Sequence, residues 1–295
     1  MDFRALWPAR QTVRRLACVT MVRDEDYFIE MYIKHYLMNC PDADFYIIDH
    51  ASTRPVSSVI REKFPDLAEG RVNVIRIPDI PFDDDFKSMA LSSVGSMACA
   101  AYDIVIVSDV DELVVPLKGD LVGTCLALSA DVIAPLGFEV IQNSVLEAQY
   151  DVNSPVFCQR KYGYFKSSQT KPVIWKSASI VAAGIHKCMY DYVFSDDLIA
   201  VHMRFADREQ ARCRVSHRRQ VTFSKNQISR KYGVYWSAAE DVRLRIFDHI
   251  TKADFLPASE IIPEFMENLS RTKHRNAHGY FSPDLHLKTK YCYFE

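Results

Sequence analysis

Ser108-Asp109-Val110-Asp111-Glu112-Leu113 places three acids directly after the unbroken apolar run Ile104–Val107. Uncompensated carboxylates are costly to bury at a sheet edge, so these groups must meet a cation, hydrogen-bond donors or water. Residues two apart share one side of an extended chain, which lets Asp109 and Asp111 converge on one ion while Glu112 points elsewhere. Hard oxygen ligands favour Mg²⁺ or Mn²⁺, and both ions keep open positions for diphosphate oxygens. A lone pair of aspartates is more often a solvated acidic turn. Ligands of open α/β sheets, however, bind beyond the carboxyl ends of strands, and that is where this pair falls.

The elements that must position these acids can be read from periodicity. Leu16–Val22 is a short β-branched strand closed by Arg23-Asp24-Glu25-Asp26, and Tyr27–Met38 repeats Phe28, Met31, Tyr32, His35 and Tyr36 at helical spacing. A strand at Asp44–Ile48, a helix near Val56–Phe64, a strand at Val72–Ile77 and a helix at Phe86–Ala101 lead to Ile104–Val107. This alternation predicts a parallel sheet with crossover helices, its fourth strand covered on both faces. A further strand is expected at Asp131–Val140, then a long irregular region at Gln149–Thr170. Strand-like pieces follow at Val173–Lys176, Ser179–Ile185 and Leu198–Met203, and helices from Arg208, at Ala238–Ile250 and at Ser259–Arg271.

Three stretches stand in fixed order at the ends of predicted strands: Thr20-Met21-Val22-Arg23-Asp24-Glu25, Tyr46-Ile47-Ile48-Asp49-His50-Ala51-Ser52-Thr53, and Asp109-Val110-Asp111-Glu112-Leu113. Over residues 16–140 the chain thereby resembles the glycosyltransferases of the GT-A fold, specifically the bacterial family 2-like group. The resemblance implies an α/β, Rossmann-like, mostly parallel sheet flanked by helices, with a helical C-terminal extension. Residues 1–205 would form the nucleotide-sugar-binding and catalytic domain, and residues 206–295 would pack on it at the acceptor side. The implied reaction moves a sugar from a nucleoside diphosphate donor, a UDP-sugar being favoured, to a hydroxyl of a glycan or lipid-linked acceptor, in bacterial surface glycan synthesis.

The same resemblance implies roles for single residues. Asp109 and Asp111 would hold Mn²⁺ or Mg²⁺ against the donor diphosphate, with Asp111 essential to catalysis. Asp49 would accept a hydrogen bond from the base or ribose, its alternative being a helix cap. Thr20 and Arg23 would border the nucleotide, and Lys87 would reach the phosphates, although an exposed lysine is the plainer reading. A late histidine often completes the metal shell beside a phosphate-binding cation. His202 with Arg204 fits that pattern better than His186, which would touch the donor phosphate or sugar. Glu139 is the candidate acceptor-activating base, with Glu147 and Asp151 close by in sequence.

Composition bounds the alternatives. With 36 Lys+Arg against 38 Asp+Glu and a formal charge of -2, no global field draws the chain to nucleic acid. The basic run Arg212–Arg219, with Lys225, Arg230 and Lys231, predicts weak peripheral contact with an anionic membrane, against a solvated helix face. Eight cysteines without a CxxC pair read as reduced, buried thiols. No apolar run reaches signal-peptide or membrane-spanning length, so the expectation is a soluble cytoplasmic protein, peripheral to the inner membrane at most. A metal-dependent nucleotidyl- or phosphoryltransferase is the rival enzyme. It is disfavoured because nine glycines form no GxxxxGK[ST] or GxGxxG loop. A non-catalytic nucleotide-sugar-binding module is the third reading.

Overall fold

A computed structural model describes residues 14–218, 220–230, 240–283 and 290–295. Arg219, Lys231 and the predicted helix start at Ala238 lie outside the described residues. β1 (Arg14–Val22), β2 (Asp44–His50) and β3 (Val72–Ile77) run parallel, linked by α1 (Asp26–Asn39), by α2 (Val56–Lys63) and by the single turn α3 (Pro65–Ala68). α4 (Asp84–Ala98) returns the chain to β4 (Tyr102–Val107), which lies parallel to β1 on its other side. The protein is thus α/β, with a parallel central sheet flanked by helices, and Ile104–Val107 is fully buried. α4 lies close on that strand because Gly95 has no side chain: a Cβ there would come within 2.7 Å of Trp175 and Val107.

Beyond the acidic turn the sheet becomes mixed. β5 (Glu112–Pro116), α5 (Leu121–Ala127), β6 (Val132–Ile141), α6 (Val156–Gln159), β7 (Tyr162–Phe165), β8 (Ile174–Trp175) and β9 (Val193–Phe205) follow in order. β8 is antiparallel to both β4 and β6, while β9 runs parallel to β6 and antiparallel to β5. The last part holds α7 (Arg208–Arg218), α8 (Lys225–Ser229), α9 (Glu240–Ile250), β10 (Leu256–Pro257), α10 (Ala258–Thr272), β11 (His274–Arg275), β12 (Phe281–Ser282) and β13 (Tyr291–Tyr293). It is therefore more than helical: β10 and β13 extend the main sheet in the order β10-β13-β7-β6-β8-β4-β1-β2-β3.

Three local expectations need correction. Ser179–Ile185 is not a strand, because Gly184 (φ 71) and Ile185 (φ 62) take left-handed backbone and turn the chain. The irregular region Gln149–Thr170 contains β7, and the acidic motif runs straight into β5. Cys158 and Cys213 are exposed, whereas Cys18, Cys125, Cys188 and Cys292 are buried, and all eight thiols are free. Among the described residues no helix is long and apolar enough to cross a membrane.

α1 buries the face its spacing predicted, including His35, which is 4% exposed. The ring donates from Nε2 to the Val114 carbonyl at 2.9 Å, and burial pushes its pKa down to about 4. The unfolded chain therefore binds a proton at this residue that the folded chain refuses between pH 6.5 and 4, so stability falls as pH drops through that window. His35→Gln, which keeps a donor, should flatten this acid loss by roughly 3 kcal/mol, measured by urea denaturation at several pH values. Parallel pH profiles for the two proteins would contradict it.

Candidate active site

The turn between β4 and β5 is fastened from both sides. Ser108 Oγ donates to the Glu112 carbonyl at 3.1 Å, and Met203 N of β9 donates to the Asp111 carbonyl at 2.7 Å. A cavity of about 270 Å³ opens at the carboxyl ends of β1 and β4. Its walls include Arg23, Lys87, Asp109, Asp111, His186 and His202. Six of the residues singled out in the sequence thus meet in one place.

Asp109 is gripped by two lysines, Lys87 at 2.5 Å from Oδ1 and Lys171 at 3.2 Å from Oδ2. Lys171, 3% exposed, also bonds Glu112 at 2.5 Å. Burial acts against these charges, but Lys87 and Lys171 hold Asp109 well below the usual carboxylate range, and Glu112 and Asp109 hold Lys171 above its own. Glu112 keeps a raised pKa because its burial outweighs the lysine.

Asp111 is 2% exposed, and Oδ2 meets His202 Nε2 at 3.0 Å, Arg214 Nη1 in a short ion pair, and Arg218 at 4.0 Å. Against the cost of burial, Arg214 and then His202 keep its pKa well below the ordinary value. Arg214 also reaches Glu25 at 2.7 Å and lies 4.3 Å from the centre of the Phe28 ring. Arg218 is pushed down to about 10 by burial and by Arg214 beside it. Sequence reasoning missed Lys171, Arg214 and Glu25. The available signal was the four-residue step from Arg214 to Arg218 around buried Ala211 and Val215, an amphipathic face pointing inward. The basic run is accordingly not one solvated or membrane-facing surface, since Arg214 and Arg218 line the cavity and Arg230 pairs with Asp85 at 2.6 Å.

His202 sits opposite Glu112 on β5 and opposite Glu139 on β6, so the three side chains share a sheet face. Its Nδ1 lies 3.0 Å from Glu139 Oε1, an ion-pair distance without the alignment of a hydrogen bond. Burial would lower the imidazole, but Glu139 and Asp111 raise it overall. His186 is different: burial, followed by Lys171, pushes it down to about 3, and its Nδ1 has no hydrogen-bond partner.

Four expected site residues do not reach the cavity. Glu139 is 0% exposed, is held by Arg204 at 2.7 Å and Lys166 at 3.6 Å, and is drawn down to about 2 despite its burial, chiefly by Arg204 and His202. A carboxylate so placed cannot take a proton from an acceptor, which corrects its reading as a base. Arg204 bonds Glu139 through Nη2 and lies 4.4 Å from the centre of the Phe205 ring, outside the cavity lining. Thr20 is 0% exposed; Met21, Val22 and Arg23 form the wall instead. Asp49, also 0% exposed, accepts from Ser52 N at 2.8 Å, Val56 N at 3.2 Å and Arg76 Nη1 at 2.7 Å. It fastens the start of α2, and its neighbour His50 faces the cavity.

No family model and no curated protein matches the chain. Solved structures similar to it include S. aureus TarS 1-349, with 10% identity over 72% of this chain and 68% of that one at a TM-score of 0.39. Another is the mannosyltransferase PcManGT from Pyrobaculum calidifontis in complex with GDP-Man and Mn2+, with 15% identity over 86% of this chain and 79% of that one at a TM-score of 0.38. A third, glucosyl-3-phosphoglycerate synthase from Mycobacterium tuberculosis in complex with phosphoglyceric acid, shows 20% identity over 42% of this chain and 44% of that one, with a TM-score of 0.29.

Because Asp49 is buried and fully engaged, Asp49→Ala should act on the fold. Losing a charged acceptor that three donors share is expected to lower unfolding stability by about 2–4 kcal/mol, read from the denaturation midpoint. A variant of unchanged stability with weakened binding of UDP would restore Asp49 to the binding site.

Proposed function

We propose that this chain is a glycosyltransferase that moves a sugar from a nucleoside diphosphate donor to a hydroxyl acceptor. One observation carries the reading: cations and a carboxylate–imidazole pair converge on a cavity at the carboxyl ends of parallel strands. The lining carboxylates are Glu25, Asp84, Asp109, Asp111 and Glu112. The lining lysines and arginines are Arg23, Lys87, Lys171, Arg214 and Arg218, so five charges of each sign face one another. A diphosphate entering this balanced site brings surplus negative charge, and a divalent ion supplies the complement.

Asp111 offers a hard oxygen and His202 an imidazole nitrogen 3.0 Å away, and the other ring nitrogen faces the Glu139 carboxylate. A carboxylate behind a ligating histidine is the usual support for a metal ligand. Both aspartates already carry cationic partners, Asp109 from Lys87 and Lys171 and Asp111 from Arg214, and among the described residues no three His, Cys, Asp or Glu side chains gather around one point. In this reading Asp111 and His202 would be the two protein ligands of Mn²⁺ or Mg²⁺, few protein ligands beside substrate phosphates being common for Mg²⁺. Such an ion supplies charge stabilisation to the departing diphosphate.

The chain's own part in transfer is electrostatic and positional. Lys87 and Lys171, anchored on Asp109, and Arg218 beside Arg214 present positive charge where the leaving group gains negative charge. Arg23, His50 and Phe82 line the side next to β2, where flat groups can face a nucleobase. A UDP-sugar is the donor to try first, on the resemblance of the three strand-end motifs.

UDP with Mn²⁺ should raise the melting temperature by mass action, and incubation with UDP-sugars should release UDP slowly. Asp111→Asn is expected to cut that release at least about 100-fold while the protein still melts cooperatively. Full turnover in excess chelator would remove the metal, stabilisation without release would leave a binding module, and no stabilisation by any nucleoside diphosphate would remove the transferase reading.

A further inference from the structure

A second, larger cavity of about 900 Å³ lies against the first and has no part in the chemistry above. Two segments contribute neighbouring residues to both. On α4, Asp84 and Lys87 face the charged cavity while Asp85, Ser88 and Met89 face the larger one. In the turn after β8, Ile180–Ala183 and Lys187 face the larger cavity while Gly184 and His186 face the charged one. His186 thus stands on the partition with its buried Nδ1 lacking a partner.

The lining chemistry differs sharply between the two. Where the first cavity is crowded with charge, the second carries a paired Asp85–Arg230, 2.6 Å apart, and Lys187. The remainder joins hydroxyl, amide, imidazole and phenol groups of the α4 serines, Asn276, His278 and Tyr280 to the apolar surfaces of Val181–Ala183, Met89 (60% exposed) and Ile180 (40% exposed), the hydroxyls of Ser92, Ser93 and Ser96 already bonding backbone. Ser88 is 3% exposed and its hydroxyl has no hydrogen-bond partner. Neutral hydrogen-bonding groups interleaved with exposed apolar surface match a sugar ring, which offers hydroxyls at its edge and C–H groups on its faces. The volume falls in the range of sites for ligands of drug size, room for more than one ring.

We propose that this cavity binds a saccharide as the acceptor, with its reacting hydroxyl directed across the His186 partition towards the donor. The acceptor role rests on the transferase reading; saccharide binding itself does not. The test is a printed oligosaccharide array probed with the whole protein in the presence of UDP and Mn²⁺, wild type beside Ser93→Trp and Tyr280→Ala. Ser93 is an exposed α4 position on the cavity wall, where an indole would fill the space. Wild-type binding to at least one glycan, weakened at least tenfold in both variants with melting temperatures kept, is the expected result. Binding that survives both substitutions, or no glycan binding by the wild type, overturns the proposal. If Tyr280→Ala lowers the melting temperature, Ser93→Trp decides alone. Wild-type melting with UDP and Mn²⁺ is read separately: glycan binding without nucleotide stabilisation keeps the saccharide cavity and removes its acceptor role.

Discussion

A carboxylate that is 2% exposed at the edge of a sheet must be compensated, and the compensation of Asp111 organises this protein. Its main counter-ion, Arg214, arrives from 103 residues later in the chain, and the same guanidinium holds Glu25, 189 residues earlier. One side chain therefore joins the end of β1, the β4–β5 turn and α7. Breaking a buried pair by removing one partner costs about 3–5 kcal/mol, whereas its net contribution to stability is often small. The network accordingly says more about which arrangement the chain must adopt than about how stable that arrangement is.

A second line of charge runs from Asp111 through His202 to Glu139 and Arg204. Strand register makes it possible, since His202 lies opposite Glu112 on one side and Glu139 on the other. The histidine is fixed by its inner neighbour and presents only Nε2 to the cavity. In the proposed site such support would set the ring's orientation before any ion arrives.

Much of the first half could be read from the sequence for simple reasons. Apolar runs marked β1, β2 and β4, and helical spacing marked the buried face of α1. Arg23, Lys87, Asp109, Asp111, His186 and His202 line one cavity because strand-end polar residues in an α/β sheet converge. Asp49, Thr20, Glu139 and Arg204 were misjudged for one reason: a residue's position along a strand does not say whether its side chain is already committed inside. Asp49 is committed to α2 and Arg76, and Glu139 to Arg204 and Lys166. Lys171 and Arg214 stayed hidden because their partners are 59 or more residues away, a separation no local pattern records.

The sheet order has a consequence for synthesis. β13 (Tyr291–Tyr293) lies between β10 and β7, so β7 depends on a partner made about 130 residues later at ribosomal pace. Until then one side of Tyr162–Phe165 shows unpaired amides and carbonyls beside an aromatic core, the kind of bare edge to which another chain adds a strand. Every emerging copy passes through this interval, in which the bare edge of one copy can meet the same edge of another.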